Sequence, residues 1–162
     1  MQALSFFLDD ELFAVDVIYV EKFVRNIPVT PVVATPDPVI GIANMKGRVI
    51  TVLSLSTLLK RDAGKAETRS PVSGANAVVF KSLADGDQIA LQIDRPGGLL
   101  SISDCQQLPP PVAAGPAEKH IITGIAEADG LLYRIIDASA LINQDYTADP
   151  IIQREINDEK SI

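Results

Sequence analysis

The sequence repeats one pattern at a spacing of 83 residues (Ile125 minus Ile42). Residues 41–59 align with residues 124–142 without a gap. Both copies begin with Gly-Ile-Ala, and both carry a second glycine at the same place, Gly47 in one and Gly130 in the other. This period is longer than the roughly 20–50 residues of a solenoid unit. It predicts two copies of one small β module in a chain of 162 residues, enough for one domain or two small subdomains.

Composition narrows the class of protein and its partners. Hydrophobic residues make up 47% and charged residues 22%, as in ordinary globular proteins. A formal net charge of −7 argues against nucleic acid and anionic membrane surfaces as partners. No stretch approaches the ~20 apolar residues of a membrane span, and the N-terminal residues lack the features of a signal peptide. With Cys105 as the single cysteine, no internal disulfide can form, so we expect a cytoplasmic protein without direct membrane insertion.

Short apolar runs separated by turn residues predict β-strands. Leu4–Leu8 and Glu11–Val20 read as a hairpin with an acidic turn at Asp9-Asp10. Val39–Ala43 and Arg48–Leu53 form a second predicted hairpin, whose turn ends at Gly47, a residue free to take positive φ. The repeat places a matching hairpin at Ile121–Ala126 and Leu131–Ile136. Four prolines interrupt Ile27–Val39, which predicts an edge or loop segment.

These elements predict an all-β fold with minor helices, made of two antiparallel barrels of about five short strands each. We expect a single domain over residues 1–162, with one subdomain at about 15–75 and the other at about 76–145. The N-terminal strand could be shared between the two subdomains, and Ala63–Asn76 is the predicted linker. Asp149 as N-cap and Pro150 at the first helical position predict a C-terminal helix at about 150–160.

The residue types that support catalysis are scarce. His120 is the only histidine, and with Cys105 it provides too few ligands for a predicted metal site. A Cys–His nucleophilic pair lacks an orienting third group, so Cys105 is better interpreted as a small apolar filler. The spacing of Gly41 and Gly47 lacks the Lys-Ser/Thr ending of a phosphate-binding loop. We therefore predict no catalytic residue, no metal and no cofactor.

One surface has the composition of a docking site. The proline-rich segment Ile27–Val39 lies close in sequence to Met45, Lys46 and Arg48, which form the basic tip of an otherwise acidic protein. An apolar centre with a charged rim is typical of protein–protein interfaces. The alternative is that Met45 is buried and that the two cations serve only solubility. The sequence pattern leaves both interpretations open.

Several segments together resemble a known family. Phe6-x-Leu8, Phe13–Val17 and above all Ile40–Leu55 are similar to the CheW family of chemotaxis coupling proteins. Its strongest signature is Gly, two residues, Asn-Leu-Arg-Gly, and then a strand reading roughly Pro-Val-Ile-Asp-Leu. This chain has Gly-Ile-Ala-Asn-Met-Lys-Gly from Gly41 to Gly47. The likeness extends over about residues 4–145.

The resemblance implies two SH3-like five-stranded barrels and an adaptor without enzymatic activity. Its implied partners are the cytoplasmic tip of a chemoreceptor and the regulatory domain of a CheA-type histidine kinase. In the family, a groove between the barrels receives the receptor's helical hairpin, and a barrel end packs against the kinase. Association with a membrane would then arise only through receptor arrays. The candidate protein-binding residues are Val20, Lys22, Phe23, Asn44, Met45, Lys46 and Gly47, to which the basic tip adds Arg48.

The chain departs from the family pattern at charged positions. Lys46 stands where the family usually has Arg, and Lys22 stands where it often has Glu. Because an ammonium cannot fork onto a carboxylate as a guanidinium does, these changes would alter partner choice. A CheW-like regulator of another kinase pathway, such as one for surface motility, is therefore an alternative function. A small enzyme or ligand-binding barrel, using the cleft between the two copies, is a third.

Overall fold

The computed structural model of the protein describes residues 1–32, 38–60, 74–82, 88–109 and 120–143. Strands dominate these residues, which confirms the all-β prediction. The strands are β1 Gln2–Leu8, β2 Glu11–Asp16, β3 Val20–Ile27, β4 Val39–Met45, β5 Arg48–Ser54, β6 Ala75–Phe80, β7 Gln88–Ile93, β8 Arg95–Ser101, β9 Gln106–Leu108, β10 Ile122–Ala128 and β11 Leu131–Ile136. The described part also contains the short helices α1 Leu55–Leu58 and α2 Ala138–Ile142 and the 3-10 turns Val17–Tyr19 and Ile102–Asp104.

The strands form two sheets, here called sheet A and sheet B. Sheet A has the strand order β8-β1-β2-β11-β10-β9, and sheet B has the order β3-β6-β7-β5-β4. The expected closed barrels are not present in the described residues, because each order runs from one edge strand to another with no ladder between the edges. Sheet A has six strands instead of five because β9 pairs with the outer side of β10. The prediction of an all-β fold built from small β modules is therefore confirmed, and in the described residues the modules are two open sheets.

The repeat in sequence is a repeat in structure. The hairpins β4–β5 and β10–β11 share one register, with Met45 opposite Arg48 in the first and Ala128 opposite Leu131 in the second. Both β4 and β10 contain an irregularity at the same place, before Gly41 and before Gly124. Each hairpin also leads into a short helix with a side-chain cap on its first turn. A spacing of 83 residues in the sequence therefore corresponds to one repeated hairpin-and-helix unit.

The sheets divide the chain at different points from those the sequence suggested. Sheet B takes β3 to β7 in one continuous stretch, whereas sheet A combines β8 to β11 with the hairpin β1–β2 from the start of the chain. The chain crosses between sheets at Val17–Tyr19 and at Asp94, so the predicted boundary near residue 75 lies inside sheet B. The reason is that β2 pairs in parallel with β11, in the same way that β7 pairs in parallel with β5. The predicted helix at 150–160 and most of the linker lie outside the described residues.

A central apolar cluster joins the two sheets and both helices. It includes Phe6, Phe13, Leu53, Phe80, Leu91 and Leu141, all fully or almost fully buried. The rings of Phe6 and Phe13 stack with centroids 5.7 Å apart. Smaller clusters lie apart from it. One joins Ala3, Ala14 and Ala126 of sheet A with Ile102 of the following 3-10 turn, and another joins Ile50, Ala77, Val79 and Ala90 of sheet B. Because a sheet must cover its apolar faces, the shared cluster fixes the two modules against one another.

The crossover at Asp94 adds polar contacts between the sheets. The Asp94 carboxylate accepts a hydrogen bond from the backbone N–H of Asp9 at 2.7 Å. Its backbone N–H donates to the Phe7 carbonyl at 2.9 Å, and its carbonyl accepts from the Asn76 side chain at 2.8 Å. The turn of the β1–β2 hairpin is thus held by the residue that connects β7 to β8.

Candidate functional site

The eight candidate binding residues lie on the two edges of sheet B. Val20, Lys22 and Phe23 are on β3, and Asn44–Arg48 form the turn between β4 and β5. Although β3 and β4 are the outermost strands of the sheet, one Arg48 nitrogen, Nη2, lies 3.1 Å from Oε1 of Glu21 on β3. The structure therefore brings the two groups of candidates to a common place. We call this place, comprising Val20–Phe23 and Asn44–Val49, the tip surface.

The turn of the tip surface has a defined backbone. Lys46 and Gly47 have φ values of 52° and 84°, and positive φ at both central residues is what a type I′ hairpin turn requires. The Asn44 side-chain oxygen accepts a hydrogen bond from the Gly47 N–H at 3.0 Å. Asn44 and Gly47 therefore shape the turn, while Lys46 is exposed at its end.

The apolar members of the tip surface differ in exposure. Met45 is half-buried and packs with Val24 against the cluster of Ile50, Ala77, Val79 and Ala90. Val20 and Phe23 are half-buried and pack against the central cluster. Val49, which was not among the predicted residues, is 57% exposed. The sequence does carry a signal for this exposure, because alternation along the strand places Val49 on the face opposite the buried Ile50.

Glu21 is the residue of this surface that sequence reasoning missed. Val20 pairs with Phe80 and Lys22 with Val79, so Glu21 is the extra residue of a β-bulge. Bulges redirect a side chain, and they are common on edge strands. Both Glu21 carboxylate oxygens lie near Arg48 Nη2, at 3.1 and 3.4 Å. Nothing in the local sequence marks this bulge, because it depends on the register between β3 and a strand more than 50 residues away.

A buried glutamine provides the second partner of Glu21. The Gln88 side chain is only 5% exposed, and its Nε2 donates both to the Phe80 carbonyl at 3.0 Å and to a Glu21 oxygen. The hydrogen bonds from Arg48 and then from Gln88 lower the pKa of the Glu21 carboxyl below its ordinary value. Glu21 is therefore a carboxylate near neutral pH, held between an exposed guanidinium and a buried amide.

The proline-rich segment contributes less to this surface than its sequence suggested. Among its described residues, Thr30 makes a single bridge to Ile42, with both N–H···O distances at 2.8 Å. Val29 is buried against Ala43, Val52 and Ala75. The segment is thus an edge attachment to sheet B, and one of its apolar residues points inward. Residues 33–37 lie outside the described part of the chain.

The remaining candidates for chemistry have structural surroundings. Cys105 Sγ lies 3.3 Å from the Ser101 carbonyl and packs against the small cluster of sheet A, while His120 is exposed. Over the described ranges, no three His, Cys, Asp or Glu side chains come together as metal ligands. In the same ranges, no helix has the length and apolar character needed to cross a membrane.

A groove of about 430 Å³ lies at one end of sheet A. Its lining includes two carboxylates, Asp16 and Asp137, among apolar residues such as Ile102 and Ile135. Both carboxylates act as caps: Asp16 accepts from the Ile18 N–H at 3.1 Å, and Asp137 accepts from the Ala140 N–H at 3.3 Å. The structure thus gives these two acids a role in ending strands and starting turns.

Together, the two sheets and the tip surface define a duplicated β protein whose candidate site is an exposed surface. The sequence model of the CheW-like domain matches residues 2–145. The chain is 21% identical over 140 residues to a chemotaxis protein CheW of Rhizobium meliloti, covering 86% of each chain. It is 25% identical over 143 residues to a chemotaxis protein CheW of Thermotoga maritima, covering 88% of each.

A solved structure has the same fold. The scaffolding protein TtCheW of Thermoanaerobacter tengcongensis matches with a TM-score of 0.66 and 22% identity, over 84% of this chain and 88% of that one. Because the family match spans most of the sequence, the chain belongs to the CheW-like domain family. The resemblance found in the sequence is confirmed, and the low identities agree with its divergence at charged positions.

Proposed function

We propose that this protein is a non-catalytic adaptor that couples chemoreceptors to a CheA-type histidine kinase. Family membership over residues 2–145 supports the adaptor role, as do the chemotaxis and scaffold relatives. The observation that carries the proposal is the tip surface. It presents the family's signature turn, with Lys46 exposed and the Arg48 side chain 52% exposed, next to the exposed Val49.

The mechanism is simultaneous binding. The adaptor's own tip surface, defined above, binds the regulatory domain of the kinase. A different surface of the adaptor binds the cytoplasmic tip of a receptor. Linking the two contacts raises the effective concentration of one partner at the other. Each contact then needs only about micromolar affinity, roughly −8 kcal/mol. A change in the receptor shifts the population of active kinase, and no bond is made or broken on the adaptor.

Titration calorimetry tests this proposal directly. The purified protein is titrated with a receptor-tip hairpin and with a kinase regulatory domain encoded in the same genome. We expect micromolar binding of each, and binding of both at once. If the wild-type protein fails to bind either one of them, the adaptor role is rejected.

A charge reversal in the turn tests the location of the contact. We expect Lys46→Glu to weaken binding of the kinase domain by roughly tenfold, because it places a carboxylate where the partner meets a cation. The matched control is Asp129→Lys, which reverses the charge at the same turn position of sheet A, where the backbone has the same φ of 52°. Asp129→Lys should leave binding unchanged if the contact is at the tip surface. Because the two substitutions change the net charge in opposite directions, tighter binding by Asp129→Lys would show that net charge, and not the tip surface, governs binding.

The charges at Lys22 and Lys46 favour one alternative, a CheW-like regulator of another kinase pathway such as surface motility. Lys22 is cationic where the family often has Glu, so the matching partner surface there would be more acidic than usual, and Lys46 keeps the charge of the family's Arg but lacks its fork. Titration with the kinase domains of every such pathway in the same genome distinguishes the two functions by relative affinity.

A further inference from the structure

We propose that Arg48 is the carboxylate-binding residue of the tip surface and that Glu21 competes with the partner for it. This inference rests on the proposed function and specifies the chemistry of the contact. The partner, a kinase regulatory domain, would present an Asp or Glu next to an apolar side chain. In the free protein Glu21 occupies the position that the partner's carboxylate takes in the complex.

The geometry of Arg48 fits an exchangeable contact. Both distances to Glu21, 3.1 and 3.4 Å, involve the single nitrogen Nη2. A guanidinium carries five N–H donors on three nitrogens, and its preferred contact with a carboxylate is a two-point fork. The pair with Glu21 lacks this fork. With side-chain exposures of 52% for Arg48 and 32% for Glu21, it belongs to the weak class of surface ion pairs.

Glu21 keeps a partner when Arg48 leaves. Gln88 donates to Glu21 from inside sheet B, and its own position is fixed by its second hydrogen bond, to the Phe80 carbonyl. Lys22, the next residue on β3, adds a favourable charge. Release of Arg48 therefore does not strand an unpaired carboxylate, which would otherwise make the exchange costly.

The surroundings of Arg48 select an acidic partner. Lys46 lies two residues before it and Lys22 lies next to Glu21, so after exchange the cations outnumber the carboxylates around the contact. Met45, the half-buried residue directly opposite Arg48 in the hairpin register, offers apolar contact area on the same face of the sheet. An interface centre of this kind, apolar with a forked Arg–carboxylate pair, matches the composition of binding hot spots.

Competition makes an unusual prediction: removal of Glu21 should tighten binding. We expect Glu21→Gln to lower the Kd for the kinase regulatory domain about two- to fivefold, the range set by the strength of exposed ion pairs. Arg48→Gln should raise the Kd roughly tenfold. Arg48→Lys should also bind more weakly than wild type, because it keeps the charge but loses the fork. Titration calorimetry measures all of these constants.

The double variant separates competition from a general field effect. In the Arg48→Gln background, Glu21→Gln should leave the Kd unchanged, since nothing remains to compete for. Tighter binding in that background would mean that Glu21 acts only by its negative charge, which overturns the proposal. An unchanged Kd for Glu21→Gln alone would also overturn it. The control is Glu11→Gln, which breaks the ion pair with Arg134 in sheet A at 3.5 Å and should not alter the Kd.

Two comparisons distinguish failure of this inference from failure of the proposed function. If wild-type protein does not bind the kinase domain, the proposed function fails. If wild type binds but Arg48→Gln and Arg48→Lys bind equally well, only this inference fails. Thermal unfolding of each variant identifies any loss of fold, and Arg48→Lys remains informative where Arg48→Gln is unstable.

Discussion

The hairpins β4–β5 and β10–β11 share a backbone and differ in their surfaces. Their turns have nearly the same φ values, 52° and 84° at Lys46-Gly47 against 52° and 78° at Asp129-Gly130. After each turn, however, sheet B presents Arg48 where sheet A presents Leu131, which is 48% exposed. The repeated residues are those that the backbone and core require. The residues that diverge, Arg48 and Leu131, are exposed.

The ion pairs made by the second strand of each hairpin extend this contrast. In sheet B, the bulge residue Glu21 contacts an arginine that is 52% exposed, whereas in sheet A Glu11 contacts Arg134, whose side chain is 25% exposed. One ion pair lies at the end of a hairpin, and the other lies along paired strands, since Arg134 is opposite Phe13. The arginine of the ion pair is therefore more exposed in sheet B than in sheet A.

The largest expected difference between the copies is at the glycines before the turns. A Cβ at Gly41 would lie 2.2 Å from the Thr30 carbonyl oxygen, but a Cβ at Gly124 would lie 3.3 Å from the Leu108 carbonyl oxygen. Gly41→Ala must push the backbone of the Thr30 bridge away, and we expect a loss of about 1–3 kcal/mol in the free energy of unfolding. Gly124→Ala should cost less than about 1 kcal/mol, because its neighbour needs to move only a few tenths of an ångström.

Chemical denaturation of both variants measures this difference. Equal losses would show that the attachment of the proline-rich segment is no tighter than that of β9. The matched control is the conservative pair Val52→Ile and Ile135→Val, which changes apolar volume at the residue opposite each glycine and leaves both glycines in place.

The caps of the two helices should give a smaller and nearly equal effect. Ser54 Oγ accepts from the Thr57 N–H at 3.3 Å, and Asp137 accepts from the Ala140 N–H at 3.3 Å, at positions 83 residues apart. We expect Ser54→Ala and Asp137→Ala each to cost about 1 kcal/mol. Thermal unfolding should show decreases in Tm of about 2–4 °C. Asp137→Asn should restore stability, since Asn caps equally well.

The combined variant asks whether the modules act independently. The two losses should add to within about 0.5 kcal/mol, as they do for separate sites. A strong deviation would show that α1 and α2 are coupled through the central cluster, to which Leu58 and Leu141 both belong. If only one cap contributed, the structural equivalence of the copies would not extend to their energetics.

Much of the fold was predictable because its signals are local. The repeat, the alternation in β2 and the glycines of the turns depend on residues close in sequence. The position of the β1–β2 hairpin in sheet A could not be predicted, because β1–β2 and β6–β7 have the same strand pattern in the sequence. Which hairpin lies beside β11 is decided by tertiary pairing. Closure of the sheets was equally beyond the sequence, since it depends on accumulated twist and on whether edge strands meet.

The residues of the candidate site also fall into those that local sequence predicts and those that it does not. Asn44 and Gly47 could be found because they shape a turn within four residues of chain. Glu21 and Gln88 could not, because their contact depends on the bulge between β3 and β6 and on the burial of β7. Local patterns therefore identified the turn that is presented, while the groups that hold Arg48 in place required the structure.

The smallest predicted effect concerns Lys46, whose left-handed backbone is unfavourable for a residue with a long side chain. Lys46→Asn creates the Asn-Gly pair preferred in type I′ turns, and we expect a gain of about 0.5 kcal/mol, or about 1–2 °C in Tm. Asp129→Asn in sheet A should change stability by less, because Asp already tolerates this conformation. If Lys46→Asn is more stable and yet binds the kinase domain less tightly, the lysine is retained for contact at a cost in stability. A variant that gains stability and binds as wild type would remove Lys46 from the binding residues and leave Arg48 as the main cation of the tip surface.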